Sequence, residues 1–352
     1  MTQTKGAWRA NLEEAVFPVV VALLVAAVVG DILILAFGQN PGAVYRLLFE
    51  GTWGNSYGFG QVLYKTTTLT FTGLAVAMGL RAGLFNIGAE SQLAAGGFVA
   101  ALVGLILPAG IPALVTIPIY IVAAAVGGGT VGALPGALKA RFGAHEVITT
   151  IMLNFIVLAL LNYLTAAHLK VEGSLHTAEI HAGALARFSS YIAPFHGSAA
   201  NAVLFIAVAA AAVTWWFLFR TRRGFELRAT GLQPEAAEYG GVDVGGAWWR
   251  AMVLSGGLAG IGGLNFVLGY KHYYEEAFAS GAGFLGIAVA IVGRNHPLGV
   301  VLAALVFATI SQGGLAVNAV VPKQMVDVLQ AVVIIAVAAS VPEVRRMLRK
   351  AR

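Results

Sequence analysis

Cysteine is absent from all 352 residues. That excludes a disulfide, a thiolate nucleophile and a thiolate-held cluster, and leaves the redox compartment open. Charge is nearly as scarce, at 11% of the chain against 59% hydrophobic residues, where an ordinary soluble domain is about 25% charged. The missing charges are missing in blocks: residues 111–138, 147–169, 199–219, 251–270, 277–293 and 299–321 hold no Asp, Glu, Lys or Arg. About 20 apolar residues in a helix cross a bilayer core of roughly 30 Å, because each adds about 1.5 Å and lipid offers no partner to an open backbone group. The chain therefore reads as an all-α polytopic membrane protein. A phosphate-cradling nucleotide loop is missing too: it needs a lysine directly after a glycine, and none of the seven lysines follows one.

The charges that remain set an orientation. Spans near 16–37, 61–80, 84–107, 112–138, 146–165, 199–219, 249–270, 277–293, 297–317 and 325–341 make about ten transmembrane helices with both termini cytoplasmic. Sixteen of the 22 Lys and Arg residues then lie inside, among them Lys139, Arg141, Arg220, Arg222, Arg223, Arg228 and Arg250. Arg46, Lys65, Lys170, Arg187, Lys271 and Lys323 lie outside. This is the asymmetry of the positive-inside rule. Trp8, Trp53, Trp215, Trp216, Trp248 and Trp249 fall beside or near span ends, where amphipathic rings prefer the headgroup layer. The net charge of +6 is explained by these short basic loops and anionic lipid, so nucleic acid is not expected as a partner. The apolar run from Ala15 to Phe37 is too long for a cleaved signal and reads as a retained first span. Residues 1–352 form one membrane domain, with a cytoplasmic segment at 220–248 and an extracytoplasmic loop at 166–198.

Two spans are short and glycine-interrupted. One adjoins the run Ala82 to Ala89, the other contains Ala282 to Ala288, and their likeness suggests Gly-broken half-helices and a weak internal repeat. Broken helices at matching places in two halves mark transport pathways, although small residues also serve close helix packing. Polar side chains flank the first break: Asn86, Glu90, Ser91 and Gln92, followed on the fifth span by Glu146, Thr149, Thr150 and Asn154. A carboxylate facing lipid is costly, so Glu90 needs a partner or an aqueous path. Asn86 and Glu90 share a face if the helix already runs through both. The candidate substrate-pathway residues are Phe85, Asn86, Glu90, Gln92, Glu146, Thr149, Asn154 and Phe284. The alternative is a polar clamp between helices, such as Glu90 paired with Arg81.

In the long inner segment, Pro234 suits the first turn of a helix, Glu235 suits its positive end, and Gly240 and Gly241 end it. This is a short lever for a soluble partner, or a surface helix that merely joins two spans. Enzyme readings are weak. His145-Glu146 begins like a zinc protease motif, but Thr149 stands where the second histidine belongs. His168, His176, His181 and His196, with Glu172 and Glu179, are irregularly spaced and read as solvated loop residues, so no metal or other cofactor is expected.

Three strings carry a resemblance: residues Gly79 to Gln92, His145 to Phe155, and Gly286 to Gly299. They resemble permease subunits of bacterial ABC importers for nucleosides and simple sugars, most of all the larger permease of nucleoside systems, over about residues 60–342. Ser91 departs from the glycine expected there. Glu235-Ala236-Ala237 followed by Gly241 resembles the coupling loop of such importers, which implies an ATPase-coupling role for Gly231, Pro234, Glu235, Ala236, Ala237 and Gly241. The resemblance further implies location in the bacterial cytoplasmic membrane, two cytosolic ABC ATPase subunits, a second permease subunit, an extracytoplasmic substrate-binding lipoprotein, and a nucleoside or sugar as cargo. An ion-coupled secondary transporter, with Glu90 as carrier, is the rival: it needs neither ATPase nor coupling helix.

Overall fold

The structure is a computed structural model that describes residue 21 and residues 24–183, 185–322 and 324–336. Lys5, Trp8, Arg9, Lys323, the basic tail and both chain ends lie outside the described residues, as do the outer parts of the first and last expected spans. The described residues are helical, with three isolated bridges and no strand.

They fall into two compact units. One comprises the chain's two ends, up to Gly58 and from Thr309. Here α1 (Leu24–Ala36) and α2 (Pro41–Glu50) meet at a bend of 112°. The bend follows from Gly38 at φ +71 and from Asn40, whose side chain caps α2 by accepting from the Gly42 N–H, with Pro41 at the first helical position. Ile34, Val44, Val317, Val321 and Met325 form this unit's core, the last of them from α14 (Gln324–Ala336).

The other unit is Phe59–Ala308. In order, its helices are α3 (Ser56–Arg81, entering from the first unit), α4 (Ala89–Ile106), α5 (Ala113–Phe142), α6 (Glu146–Leu164), α7 (Val203–Arg220), α8 (Arg222–Leu232), α9 (Pro234–Tyr239), α10 (Val244–Gly262), α11 (Leu264–Val267), α12 (Ala282–Val292) and α13 (Pro297–Ala316, leaving it). Six described helices are long and apolar enough to cross a membrane, or seven if the bent pair counts as one span. α3 has the length, but Thr66, Thr67, Thr68, Thr70 and Thr72 make it more polar, while α12 and α14 are short.

The centre of this unit is a three-helix seam of α4, α5 and α10. Gly128 faces Gly256 and Gly260, Gly132 faces Met252 and Gly256, and Gly96 lies on Gly260. A methyl group at any of these would meet the neighbouring backbone. This is the small-residue packing that holds membrane helices together without a hydrophobic driving force. Around it, Phe71, Leu93, Tyr120, Leu264, Leu268 and Tyr274 are fully buried, and the Tyr120 hydroxyl donates to Ala182 O at 2.8 Å, tying α5 to the loop that follows α6.

Candidate functional site

The break between α3 and α4 is built by local stop and start signals. α3 ends in a Schellman arrangement: Leu84 N–H donates to Gly79 O at 2.9 Å, and Gly83 takes φ +75. α4 restarts at Ala89, so Asn86 lies in the break and not on a helix. The shared helical face expected for Asn86 and Glu90 is therefore not formed.

Asn86, Gln92 and Asn154 are buried and spend their amides inside the protein. Asn86 Nδ2 donates to Gln92 Oε1 and to Ser255 Oγ, both at 2.7 Å, and Asn86 Oδ1 accepts from Gly88 N and Gln92 Nε2. Ser255 passes the chain on to Ala75 O at 2.6 Å. From α6, Asn154 accepts from Ser91 N at 3.0 Å and donates to Ile87 O at 2.9 Å, while Thr150 Oγ1 accepts from Ile87 N. Asn154 thus supplies a side-chain cap to α4 from another helix, satisfying a first-turn N–H that Gly88 cannot. Ser91 Oγ donates to Gly88 O at 3.1 Å, so the departure from glycine is internally satisfied.

Glu90 behaves differently. Its partner is the N-terminus of α12, not Arg81: Gly281 N–H donates to Oε1 at 3.1 Å, and Gly283 packs directly on the Glu90 backbone. A carboxylate at a helix N-terminus is stabilised by the helix dipole. Oε2 is buried and has no hydrogen-bond partner among the described residues. Phe284, one residue beyond Gly283, is 54% exposed, and Phe85 is partly exposed. The second glycine run is thus the first turns of α12 itself; the interruptions lie before it, at Gly281 (φ +79), and after it, at Arg294 and Asn295 (φ 55 and 52). Arg81 instead donates from Nε to Asn295 O at 2.9 Å and lies over the Phe219 ring, joining the end of α3 to the end of α12.

Glu146 opens α6 and pairs with Lys139 of α5 at 3.0 Å, and that ammonium also sits over Trp248. Thr149 is partly exposed and bonds back to its own helix at Glu146 O. Neither belongs to the amide clamp.

The inner segment folds as two helices. α8 is capped by Thr221, which accepts from Gly224 N, and buries Leu227 against Met78, Leu218 and Met252. Sequence reasoning missed it, because its apolar residues are interleaved with charge. The signal was the Thr221 cap before Phe225, Leu227 and Leu232. α9 has Pro234 at its first position, Glu235 in its first turn and Gly240 at its end, followed by Gly241 at φ +83. Ala237 is buried and Ala236 exposed, while Leu232 and Tyr239 are 88% and 97% exposed. Beside α9 lies an open groove of about 640 Å³ lined in part by Ala140, Pro234, Glu235, Glu238 and Trp248. At the other end of this segment, Gly231 presses on Arg81 O and on Gly83 N, with Gly231 Cα the nearest atom to the space beside Gly83. The inner segment therefore touches the break directly.

On the loops outside the spans, His176 stacks on Tyr273 with ring centroids 4.1 Å apart, and Arg187 lies over Tyr270. His272 is held below the usual imidazole pKa by burial and by the nearby Arg187 charge, with Glu179 opposing.

Comparison with known proteins decides what this architecture is. A family model described as "Branched-chain amino acid transport system / permease component" matches residues 58–338. The chain belongs to this permease family. It is 36% identical over 326 residues, 91% of its length and 92% of the relative's, to the guanosine ABC transporter permease protein NupP of Bacillus subtilis strain 168. It is 33% identical over 335 residues, 93% of its length and 92% of the relative's, to the nucleoside ABC transporter permease protein NupB of Lactococcus lactis subsp. cremoris. To the glucose ABC transporter permease protein TsgB13 of Haloferax volcanii it is 32% identical over 331 residues, covering 90% and 85% of the two chains. No solved structure matches. The permease is a multi-pass membrane transport subunit, and its own chain is not the catalytic component.

Proposed function

We infer that this permease is the larger membrane subunit of an ATP-driven importer of nucleosides. It would work with two cytosolic ABC ATPase subunits, a second permease and an extracytoplasmic binding lipoprotein in a bacterial cytoplasmic membrane. The similarity to guanosine and nucleoside permeases over nine-tenths of the chain supports this reading; the glucose permease relative makes a sugar the second candidate. Ten crossings with both termini inside fit the positive-inside asymmetry. In that frame residues 220–248 are the cytoplasmic coupling segment and 166–198 the outer loop.

One observation carries the mechanism: Gly231, at the end of α8, lies against the Gly83 turn that holds the α3–α4 break. A push on α9 by an ATPase travels through α8 into the backbone that positions Glu90 and Phe85. Pro234, Glu235, Ala236, Ala237 and Gly241 form the docking lever, with Leu232 and Tyr239 as exposed apolar contacts. The solute path takes Phe85, Phe284 and Glu90 as lining, since a neutral nucleoside presents ring faces, edges and hydroxyls. Asn86, Gln92 and Asn154 frame it, and Glu146 and Thr149 flank its inner end.

The test is uptake of radiolabelled guanosine in cells carrying the whole transporter with Ala236→Asp, which places a charge on the exposed docking face that ATPase contact would have to bury. Transport should be lost with the permease still inserted. Uptake that persists with this change, or that survives ATPase removal and collapses with the ion gradient, would overturn the reading in favour of the secondary transporter.

A further inference from the structure

The second half of α3 carries α12 along its side. Gly286 packs on Thr72 and Gly73 on Val289, each too close for an added methyl, and Arg81 Nε donates to Asn295 O at 2.9 Å. Residue numbers rise together through these contacts, so the two helices run parallel. At its first turn α12 meets α4: Gly281 N–H donates to Glu90 Oε1 at 3.1 Å, and Gly283 lies on the Glu90 backbone. At its other end the chain leaves through Arg294 and Asn295 at φ 55 and 52, uncommon for residues with a Cβ, and Asn295 O there meets Arg81. α12 is 11 residues long, about 16 Å of helix with its two ends on different partners.

Arg81 has a second engagement. Its guanidinium lies 5.4 Å from the Phe219 ring centroid, that of Arg228 on α8 lies 5.0 Å from the same centroid, and the His296 ring lies 5.5 Å from it. Arg228 is fixed in turn by Nε donating to Leu218 O at 2.9 Å. Residues of α3, α7, α8 and the turn between α12 and α13 therefore meet on one ring. A cation–π contact and a main-chain acceptor hold each arginine, and neither is in an ion pair among the described residues. α8 thus reaches Glu90 twice: through Gly231 on the Gly83 turn that leads into α4, and through Phe219 and Arg81 into α12. The two routes join at one hydrogen bond, Gly281 N–H to Glu90, whose Oε2 has no partner among the described residues.

We propose that Arg81 is a positioning residue for transport: it hooks α12 to the inner segment, so that a shift of α8 moves α12 as a rod against α4 and makes or breaks the Glu90–Gly281 contact. The inference rests on the reading of α9 as the ATPase lever, and adds the route by which that lever reaches the far end of α12. Closely packed elements shift as rigid bodies and do not deform continuously, so a helix this short carries a displacement whole. Arginine suits the hook, because its planar fork serves a carbonyl and a ring face together.

The experiment reconstitutes the whole transporter in liposomes with its binding protein and compares guanosine moved per ATP hydrolysed. R81A should keep ATP hydrolysis and the KM for guanosine while moving at least about tenfold less solute per ATP, the scale of a lost hydrogen bond to a charged group. R81K, which keeps the charge and a donor for Asn295 O, should restore most of the coupling. R222Q, on the same α8 but in an exposed pair with Glu226, should not change it. Because the chain has no cysteine, a fluorophore on Ser280→Cys, at an exposed residue directly before Gly281, reports on the start of α12. ATP should change its signal in the wild-type background and in R81K, and not in R81A. F219L, which cuts the link to Arg228 and leaves the Arg81–Asn295 bond, should blunt the same signal and carries the test if R81A does not insert. Wild-type coupling and a wild-type Ser280→Cys signal in R81A, or in F219L where R81A fails to insert, would overturn the proposal. So would equal loss in R81A and R81K with a lowered melting temperature, which marks Arg81 as a helix cap only. ATP-independent uptake by the wild type is a different failure: it sinks the lever reading itself, and this inference with it.

Discussion

Two neighbouring places in the permease use polar side chains in opposite ways. At the α3–α4 break every amide is answered: Asn86 bonds Gln92 and Ser255, and Asn154 bonds Ser91 N and Ile87 O. At the junction of α4 with α12, Glu90 is answered on one oxygen only, and Phe284 beside it is open. In lipid, a polar group without a partner is expensive, so a closed set specifies shape. An unanswered group is kept only where something else can meet it. In the proposed reading the first place is framework and the second is where a solute, a water or a motion acts.

The comparison breaks most visibly through stability. Asn86→Leu removes acceptors and donors from Gln92, Ser255 and Gly88 and leaves them buried, at about 1–3 kcal/mol for each polar group left unpaired. The expected outcome is a marked fall in melting temperature and membrane level of the detergent-purified permease, with lost uptake following from that. If Asn86→Leu melts like wild type, the clamp is not framework.

Glu90→Gln should do the reverse. The amide keeps the shape and one acceptor, and what it loses is the charge at the α12 N-terminus, about 0.3–1 kcal/mol for an exposed site and up to roughly 2 when partly buried. Melting should shift less than for Asn86→Leu, while uptake falls more per inserted molecule. Equal losses of stability in the two variants would erase the distinction drawn between the regions.

How much of this was legible in sequence follows the range of the forces. Charge-free runs became helices because hydropathy is summed within each segment, although six described helices, or seven with the bent pair counted as one span, are long and apolar enough to cross a membrane, against about ten expected. The α9 ends were readable from Pro234 and Gly240–Gly241 because caps are local. α8 was not, since an amphipathic surface helix carries no long apolar run. Nor was the facing of Asn86 and Glu90: whether α4 begins at 86 or 89 depends on Asn154, 63 residues away from Ser91 in sequence. Glu90 was rightly singled out as needing a partner, but the partner is a helix end assembled by tertiary contact and not a nearby arginine.

Phe284→Ala sharpens the comparison on the open side. The ring is more than half exposed, so removing it should leave melting almost unchanged. If it faces a nucleoside base, losing an aromatic contact of about 0.5–1.5 kcal/mol raises the apparent KM for guanosine roughly 2- to 10-fold, with kcat much less affected. A KM equal to wild type would move the lining to other residues.

The smallest effect lies in the loop after α11, and it separates acid sensitivity of the fold from proton use in transport. His272 has its folded pKa below the ordinary imidazole value of about 6.5, through burial and then the Arg187 charge, with Glu179 pulling the other way. Folding therefore favours the neutral ring. The stability this contributes is fully present above the ordinary value and is lost as pH falls below it toward the folded value. Melting temperature should thus decline slightly between about pH 7 and pH 5, and His272→Asn should flatten part of that decline. Asparagine is the fitting replacement because residue 272 sits at φ 62, a conformation it tolerates better than most. The decline should be the same in Glu90→Gln as in wild type. If Glu90→Gln flattens it and His272→Asn does not, the titrating group is the half-answered carboxylate at the α12 end, and proton-coupled transport through Glu90 becomes the better account of the open region.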